Sequence, residues 1–213
     1  MRFRSLIIAY ALVIAFLLIA VRGRPPARPE NHYSKVVDLT DPGPAKSPEA
    51  RSGTRIISPA ALIPGTWGAA QIPAERLIAP LVVMDFNSSS TQISVADIAN
   101  WEAQHGYVPQ GAVVALRHAE SAGSSSSKEF PLSFDAAQFL MNARATRGFI
   151  VETAASLASD RTLSRQIALH GNYVVEGSAG LAVLPQTGSL IIVAPEKNRN
   201  ANESAVRVLA MVG

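Results

Sequence analysis

The sequence predicts an α/β domain with a mixed sheet and two or three helices, preceded by one N-terminal transmembrane or signal helix. Three observations predict it. Runs of β-branched and continuously apolar residues recur along residues 35–212, the pattern of strands covered on both faces. Between them lie two stretches with helical spacing of apolar residues, each opened by a serine that can cap a helix. Residues 5–21, SLIIAYALVIAFLLIAV, carry no charge. Strands alternating with helices, without internal repeat, read as α/β, and 213 residues suit one domain with an extension.

In chain order, residues 1–23 form the membrane anchor or signal segment. The uncharged run would span roughly 25 Å as a helix, close to a bilayer core once flanking side chains snorkel. A cleaved signal should offer a small-x-small site soon after its apolar region. LIAVRGRPPARPE offers arginines and prolines instead, which favours an uncleaved anchor. A run apolar on every face at the terminus does not read as a buried core helix. Arg2 and Arg4 precede it while Arg22, Arg24 and Arg28 follow, so the positive-inside bias is split. Export of the domain to the periplasmic or extracellular side is the expectation. Residues 24–34 then read as a stiff Pro/Arg-rich tether, because proline forbids a continued helix.

The domain occupies residues 35–213. KVVDLT (35–40) is a short β-branched run stopped by DPGP, hence a strand and a turn, and residues 41–53 are loop. LIAPLVVMDF (77–86) has the apolar centre of a buried strand. Ser94 caps the helix VADIANWEAQH, with Asp97 completing a capping box and Gly106 stopping it. GAVVALR (111–117) is the next buried strand, and HAESAGSSSSKEF a loop. Ser133 caps FDAAQFLMNARA, whose Phe134, Ala137, Leu140 and Met141 share one helical face. GFIVET, NYVVEG, SLIIVA and VRVLAMV supply four further strands, with a short helix near TLSRQIAL.

Composition removes several function classes. The net charge of +3 is concentrated in the arginines around the apolar run, and the remainder is slightly acidic, so no basic stripe is available for nucleic acid. There is no cysteine, which excludes thiolate metal sites, disulfides and Cys nucleophiles. The four histidines, His32, His105, His118 and His170, have no second ligand at i+2 or i+4. His32 lies in the tether, and His105 ends a helix, where the dipole accounts for it. His118 with Glu120, or His170 near Ser164 and Glu176, are acid–base candidates without a nucleophile elbow beside them. Trp67 and Trp101 read more readily as tryptophans packing a helix on a sheet than as a ligand cage.

The stretch RSGTRIISPA (51–60) has the punctuation of a metal-binding loop and nothing that can bind a metal. The blocks VVDLT, GTWGAAQIPAERLIAPLVVMD, ISVADIANWEAQHGYVPQGAVVALR, SFDAAQFLMNARATRGFIVET, GNYVVEG, LPQTGSLIIVAPEK and VRVLAMV, in that order, resemble the cyclase family, which includes kynurenine formamidases and isatin hydrolase. The resemblance implies a β/β/α fold with a mixed sheet, dimeric or tetrameric, and a hydrolase that uses zinc or manganese held by an HxGTHxDxPxH motif. Here Gly53, Thr54 and Pro59 of that motif are kept. Its ligand histidine positions fall on Arg51 and Arg55, its aspartate position on Ile57 and its catalytic histidine position on Ala61. A second His/Glu pair of the family falls on Ser164 and Glu176, of which the carboxylate alone remains.

A catalytic metal site needs about three protein ligands and an open position for water. One carboxylate does not meet that, and two arginines place fixed positive charge where the cation would sit. The resemblance therefore implies no metal and no assigned catalytic residue in this chain. Glu176 is expected to pair with Arg51 or Arg55. The reading that follows is a membrane-tethered, catalytically degenerate member, attached through residues 5–21, that binds no nucleic acid and acts as a binding or scaffold module with a homodimer as an option. The alternative is a hydrolase of amide, lactam or N-formyl aromatic substrates with an altered mechanism. The shortened loops at 41–53 and 118–130 imply a changed pocket in either case.

Overall fold

The computed structural model describes residues 33–41, 53–86, 92–118, 130–152, 161–199 and 201–213. The apolar run 5–21, the tether up to His32, Arg51 and Glu120 lie outside the described residues. Among the described residues no helix is long and apolar enough to cross a membrane.

Eight strands make one sheet: β1 (Lys35–Asp38), β2 (Arg55–Ile57), β3 (Ile78–Phe86), β4 (Val113–His118), β5 (Gly148–Val151), β6 (Tyr173–Glu176), β7 (Ser189–Pro195) and β8 (Glu203–Val212). Their order is β1-β8-β2-β6-β5-β4-β3-β7, and β7 also pairs with β8. Seven strands thus close on themselves as a barrel, with β1 flanking β8. β3, β4, β5 and β6 run parallel, while β2, β7, β8 and β1 join antiparallel. The sheet is mixed, as the sequence predicts. Closure removes most of the edge that an open sheet would expose to other chains.

Side-chain alternation divides the strands between two cores. Leu81 and Val83 of β3, Val113 and Ala115 of β4, Ile150 of β5 and Val175 of β6 fill the barrel. Their alternates, including Val114, Leu116, Phe149 and Val174, point outward beneath the helices. Those strands are apolar throughout because both faces are covered.

The covering helices are α1 (Pro59–Leu62), α2 (Ala74–Leu77), α3 (Val95–His105), α4 (Phe134–Ala143) and α5 (Arg161–Leu169). Ser94 caps α3 and Asp97 answers it, its carboxylate accepting from Ser94 N–H at 2.8 Å. Ser133 caps α4. Ile98, Trp101, Leu140, Met141, Leu163 and Ile167 pack the three longer helices onto the outer core.

Three expectations need correction. Among the described residues there are five helices, not two or three, because α1 and α2 are single turns too short to show periodicity. β2 lies in what reads as motif loop. β8 begins at Glu203, three residues before the apolar run, because Glu203, Ser204 and Ala205 pair with β2 although none has a large apolar side chain.

Candidate functional site

The residues aligned with the metal motif gather where β2 runs between β6 and β8. Arg55 lies directly opposite Glu176 of β6 and opposite Ala205 of β8, while Ile57 lies opposite Val174 and Glu203. Directly opposed residues share a face of the sheet. Arg55, Ile57, Glu176, Glu203 and Ala205 therefore all point outward, toward the helix side. On that side α1, which carries Ala61, packs on α5, whose inward face holds the buried Ser164.

The kept and the replaced residues of the motif differ in what they do. Thr54 accepts a hydrogen bond from Asp41 N–H at 2.7 Å and donates one to the Gly177 carbonyl at 2.7 Å, joining the end of β1, β2 and the turn after β6. Gly53 has φ 89°, and its carbonyl packs so closely on Gly177 that a Cβ on Gly177 would lie 2.7 Å away. Pro59 is buried at the first turn of α1, which suits proline. The preceding Ser58 donates to the Asn202 carbonyl at 2.6 Å. Gly53, Thr54 and Pro59 each hold backbone in place.

Two of the replaced motif positions, Ile57 and Ala61, carry no donor atom for a cation. Ile57 packs against the outer core, and Ala61 has a methyl group. The Arg55 guanidinium donates to Glu203 at 3.0 Å, with the two side chains 30% and 33% exposed. The expectation paired Glu176 with Arg51 or Arg55; Arg51 lies outside the described residues, and Arg55 makes this hydrogen bond to Glu203. The register puts Arg55 beside Glu176, but the diagonal carboxylate of β8 receives its hydrogen bond. Among the described residues no three His, Cys, Asp or Glu side chains are grouped to hold a metal ion. The residues present here do not fit zinc or manganese, and no step is derived through either.

A groove of about 650 Å³ opens over this corner, lined among others by Asp38, Thr54, Arg55, Glu196 and Arg207. Arg207 donates to Asp38 at 3.0 Å. The hydrogen bonds of Thr40 hold the Asp38 carboxyl below its usual range, with Arg207 adding to the effect. The groove thus presents paired charges of both signs rather than one concentrated field.

The remaining candidates disperse. His170 faces the Gln166 carbonyl and Asn142 Oδ1, each at 2.9 Å, and stands before β6, at the opposite end of that strand from Glu176. It does not join Ser164 and Glu176. The His105 ring lies 5.0 Å from that of Trp101. Trp101 is buried and donates to the Val83 carbonyl at 3.1 Å, as a packing tryptophan should. Trp67 is 38% exposed beneath Arg76, so the buried-tryptophan reading does not extend to it. His118 is the last residue of β4, and Glu120 lies outside the described residues.

One charged network was missed. Asp85 and Arg117 are register partners at the carboxyl ends of parallel strands β3 and β4. Arg117 donates to both oxygens of Asp85, and to the carbonyls of Leu181 and Leu184 at 2.8 and 3.0 Å. Gln186 donates to Asp85 at 2.7 Å. Arg117 holds the Asp85 carboxyl below the ordinary range, with Gln186 assisting. Opposite charges at matching offsets in two consecutive buried strands were the available signal. Four of the five guanidinium N–H groups are used in these bonds, which makes Arg117 a clamp on the turn at 181–184.

A family model described as Putative cyclase matches residues 33–156. Solved structures extend the likeness over most of the domain. Isatin hydrolase A from Labrenzia aggregata, bound to benzyl benzoate, is 25% identical with a TM-score of 0.68, covering 84% of this chain and 93% of that one. Isatin hydrolase A from Ralstonia solanacearum is 22% identical with a TM-score of 0.64, covering 84% and 81%. A potential metal-dependent hydrolase with cyclase activity is 21% identical with a TM-score of 0.63, covering 83% and 96%. Among curated protein sequences none matches the chain significantly.

Proposed function

The chain belongs to the cyclase family, and from that premise we propose that it is a membrane-tethered member without metal-based catalysis, acting as a binding or scaffold module. The observation that carries this reading is the division of the motif. Gly53, Thr54 and Pro59, which make or support backbone contacts, are kept, while Arg55, Ile57 and Ala61 stand where the chemistry would be. Drift in a site that still held a cation would not place a guanidinium there, because its charge opposes the ion and it cannot lose its proton. Arg55 and Glu203 instead neutralise each other at the surface. The groove beside them supports a binding role, since a ligand there meets paired charges of both signs.

Elemental measurement of the purified full chain tests the proposal together with an assay on isatin and N-formylkynurenine. Less than about one-tenth of a metal ion per chain is expected, from the ligand count, with no turnover of either compound. Stoichiometric zinc or manganese, or hydrolysis abolished by a chelator, would overturn it.

A further inference from the structure

We propose that Arg76 and Arg147, at the end of the barrel where chain enters β5 and β6, form a binding site for the dianion of a phosphate monoester. Of the partly buried arginines among the described residues, Arg55, Arg117 and Arg144 each have a carboxylate partner. Arg76 and Arg147 have none within ion-pair distance among the described residues. The two converge on α2: Arg76 belongs to it, and Arg147 donates to the carbonyls of Glu75 and Ile78, on either side of Arg76. Burial first, and then the neighbouring charge of Arg147, pull the Arg76 pKa below the ordinary arginine value. Two half-buried like charges side by side are costly, and a bound anion removes that cost.

Protein contacts fix both guanidinium groups and leave part of each unused. Arg76 stacks on Trp67, 5.6 Å from the ring centroid, and its Nη2 donates to Asn172 Oδ1 at 2.9 Å and to the His170 carbonyl at 3.4 Å. Asn172 is fully buried and is itself held, donating to Thr146 at 3.3 Å. Among the described residues Arg76 Nη1 has no acceptor, and neither has its buried Nε. Arg147 spends Nη1 on the two carbonyls, which leaves its Nε and Nη2 over. A Cβ on Gly111 would meet Arg147 Nε at 3.0 Å and Nη2 at 3.3 Å, so the missing side chain there is what admits the guanidinium.

Donors already held in place lose little freedom when a ligand arrives. A phosphate monoester sets up to two negative charges against two positive ones, and it has oxygens enough for a donor from each arginine. A carboxylate would satisfy one guanidinium and leave the other. Glu75 is exposed, has no ion pair among the described residues and opposes an anion. It acts on Arg76 less than Arg147 does, so the field remains positive. Asn172 precedes β6 and Glu176 closes it, which sets this site at the opposite end of that strand from the Arg55 groove. The phosphate could be that of a soluble ester or of a lipid headgroup, whose acyl chains would meet the exposed Ile78 (51%) and Trp67.

Calorimetric titration of the full chain in a non-ionic detergent with glycerol phosphate, at an ionic strength held constant with chloride, tests this. One saturable site per chain is expected. Arg76→Gln and Arg147→Gln should each weaken it about tenfold or more. Arg147→Lys should recover only part of the loss, since lysine keeps the charge without the fork. Glu75→Gln removes no side-chain contact among the described residues and should tighten binding about threefold, because the opposing charge goes. That gain decides the matter alone if the arginine variants melt lower than the wild type. Absence of a saturable site, or Glu75→Gln binding like the wild type, would overturn the proposal. Dibutyryl phosphatidic acid binding more tightly than glycerol phosphate, with the gain lost in Ile78→Ser, would assign the phosphate to a lipid headgroup, and equal binding would assign it to a soluble ester.

Discussion

At the scale of single residues, the kept half of the motif makes a stability prediction that the replaced half does not. Thr54→Val is nearly isosteric but leaves Asp41 N–H and the Gly177 carbonyl without their partner. Buried at 3% exposure, that loss should cost about 2–3 kcal/mol, whereas Thr54→Ser should recover most of it. Urea unfolding of the three proteins measures this, and equal midpoints would show that the hydroxyl holds nothing. Ion pairs sort by burial in the same way. Arg144 donates to both oxygens of Glu102 at 2.7 Å, with side chains only 18% and 7% exposed, and it stacks on Tyr107 and Phe139. Glu102→Ala should cost about 2–4 kcal/mol because a shielded cation is left behind. Glu203→Ala, at a pair about one-third exposed, should cost under about 1 kcal/mol.

The same Glu102 carries a pH dependence at the level of elements, since it ties α3 to the end of α4 and also accepts from Val108 N–H at 3.0 Å. Arg144 holds its carboxyl below the ordinary glutamate value. A lowered folded pKa means stability that is fully present above the unfolded value of about 4.3 and is lost as pH falls through the folded value. Melting temperature should fall on acidification below about pH 4.3, and the fall should be smaller in Glu102→Gln. β5 and β6 make a second prediction at this scale. A Cβ on Gly148 would lie 2.6 Å from the ring of Tyr173, which is fully buried and donates to the Arg76 carbonyl at 3.1 Å. Gly148→Ala should therefore cost about 1–3 kcal/mol by overpacking. Tyr173→Leu beside it should relieve the clash, so the two changes should be markedly non-additive by thermal melting.

For the whole molecule, the proposed anchor predicts how the chain partitions. Residues 5–21 should keep it in the membrane fraction through a high-salt wash, because burial of apolar surface is not screened by ions. Release by salt with the N-terminus intact would mean an electrostatic attachment. Release of a shortened chain would mean a cleaved signal. The barrel itself should be slow to form, because β8 joins β1 and β2 across about the whole length of the domain and such pairings come late.

The sequence by itself determined the family, the order of blocks, and the strands β3 and β4 with both major helices. Each rests on a local pattern: apolar runs for strands covered on two faces, and Ser94 or Ser133 opening a helical stripe. It also showed which motif positions hold ligand-type side chains and which do not, since that is a matter of residue type alone. What only the tertiary structure decided is which residues meet. Closure of β7 onto β8 into a barrel, the pairing of Arg55 with Glu203, and the Asp85–Arg117 clamp all depend on register between strands distant in the chain. The three-residue β2 was illegible for the same reason: its backbone hydrogen bonds are supplied by β6 and β8, more than a hundred residues away, and nothing within RII itself specifies them.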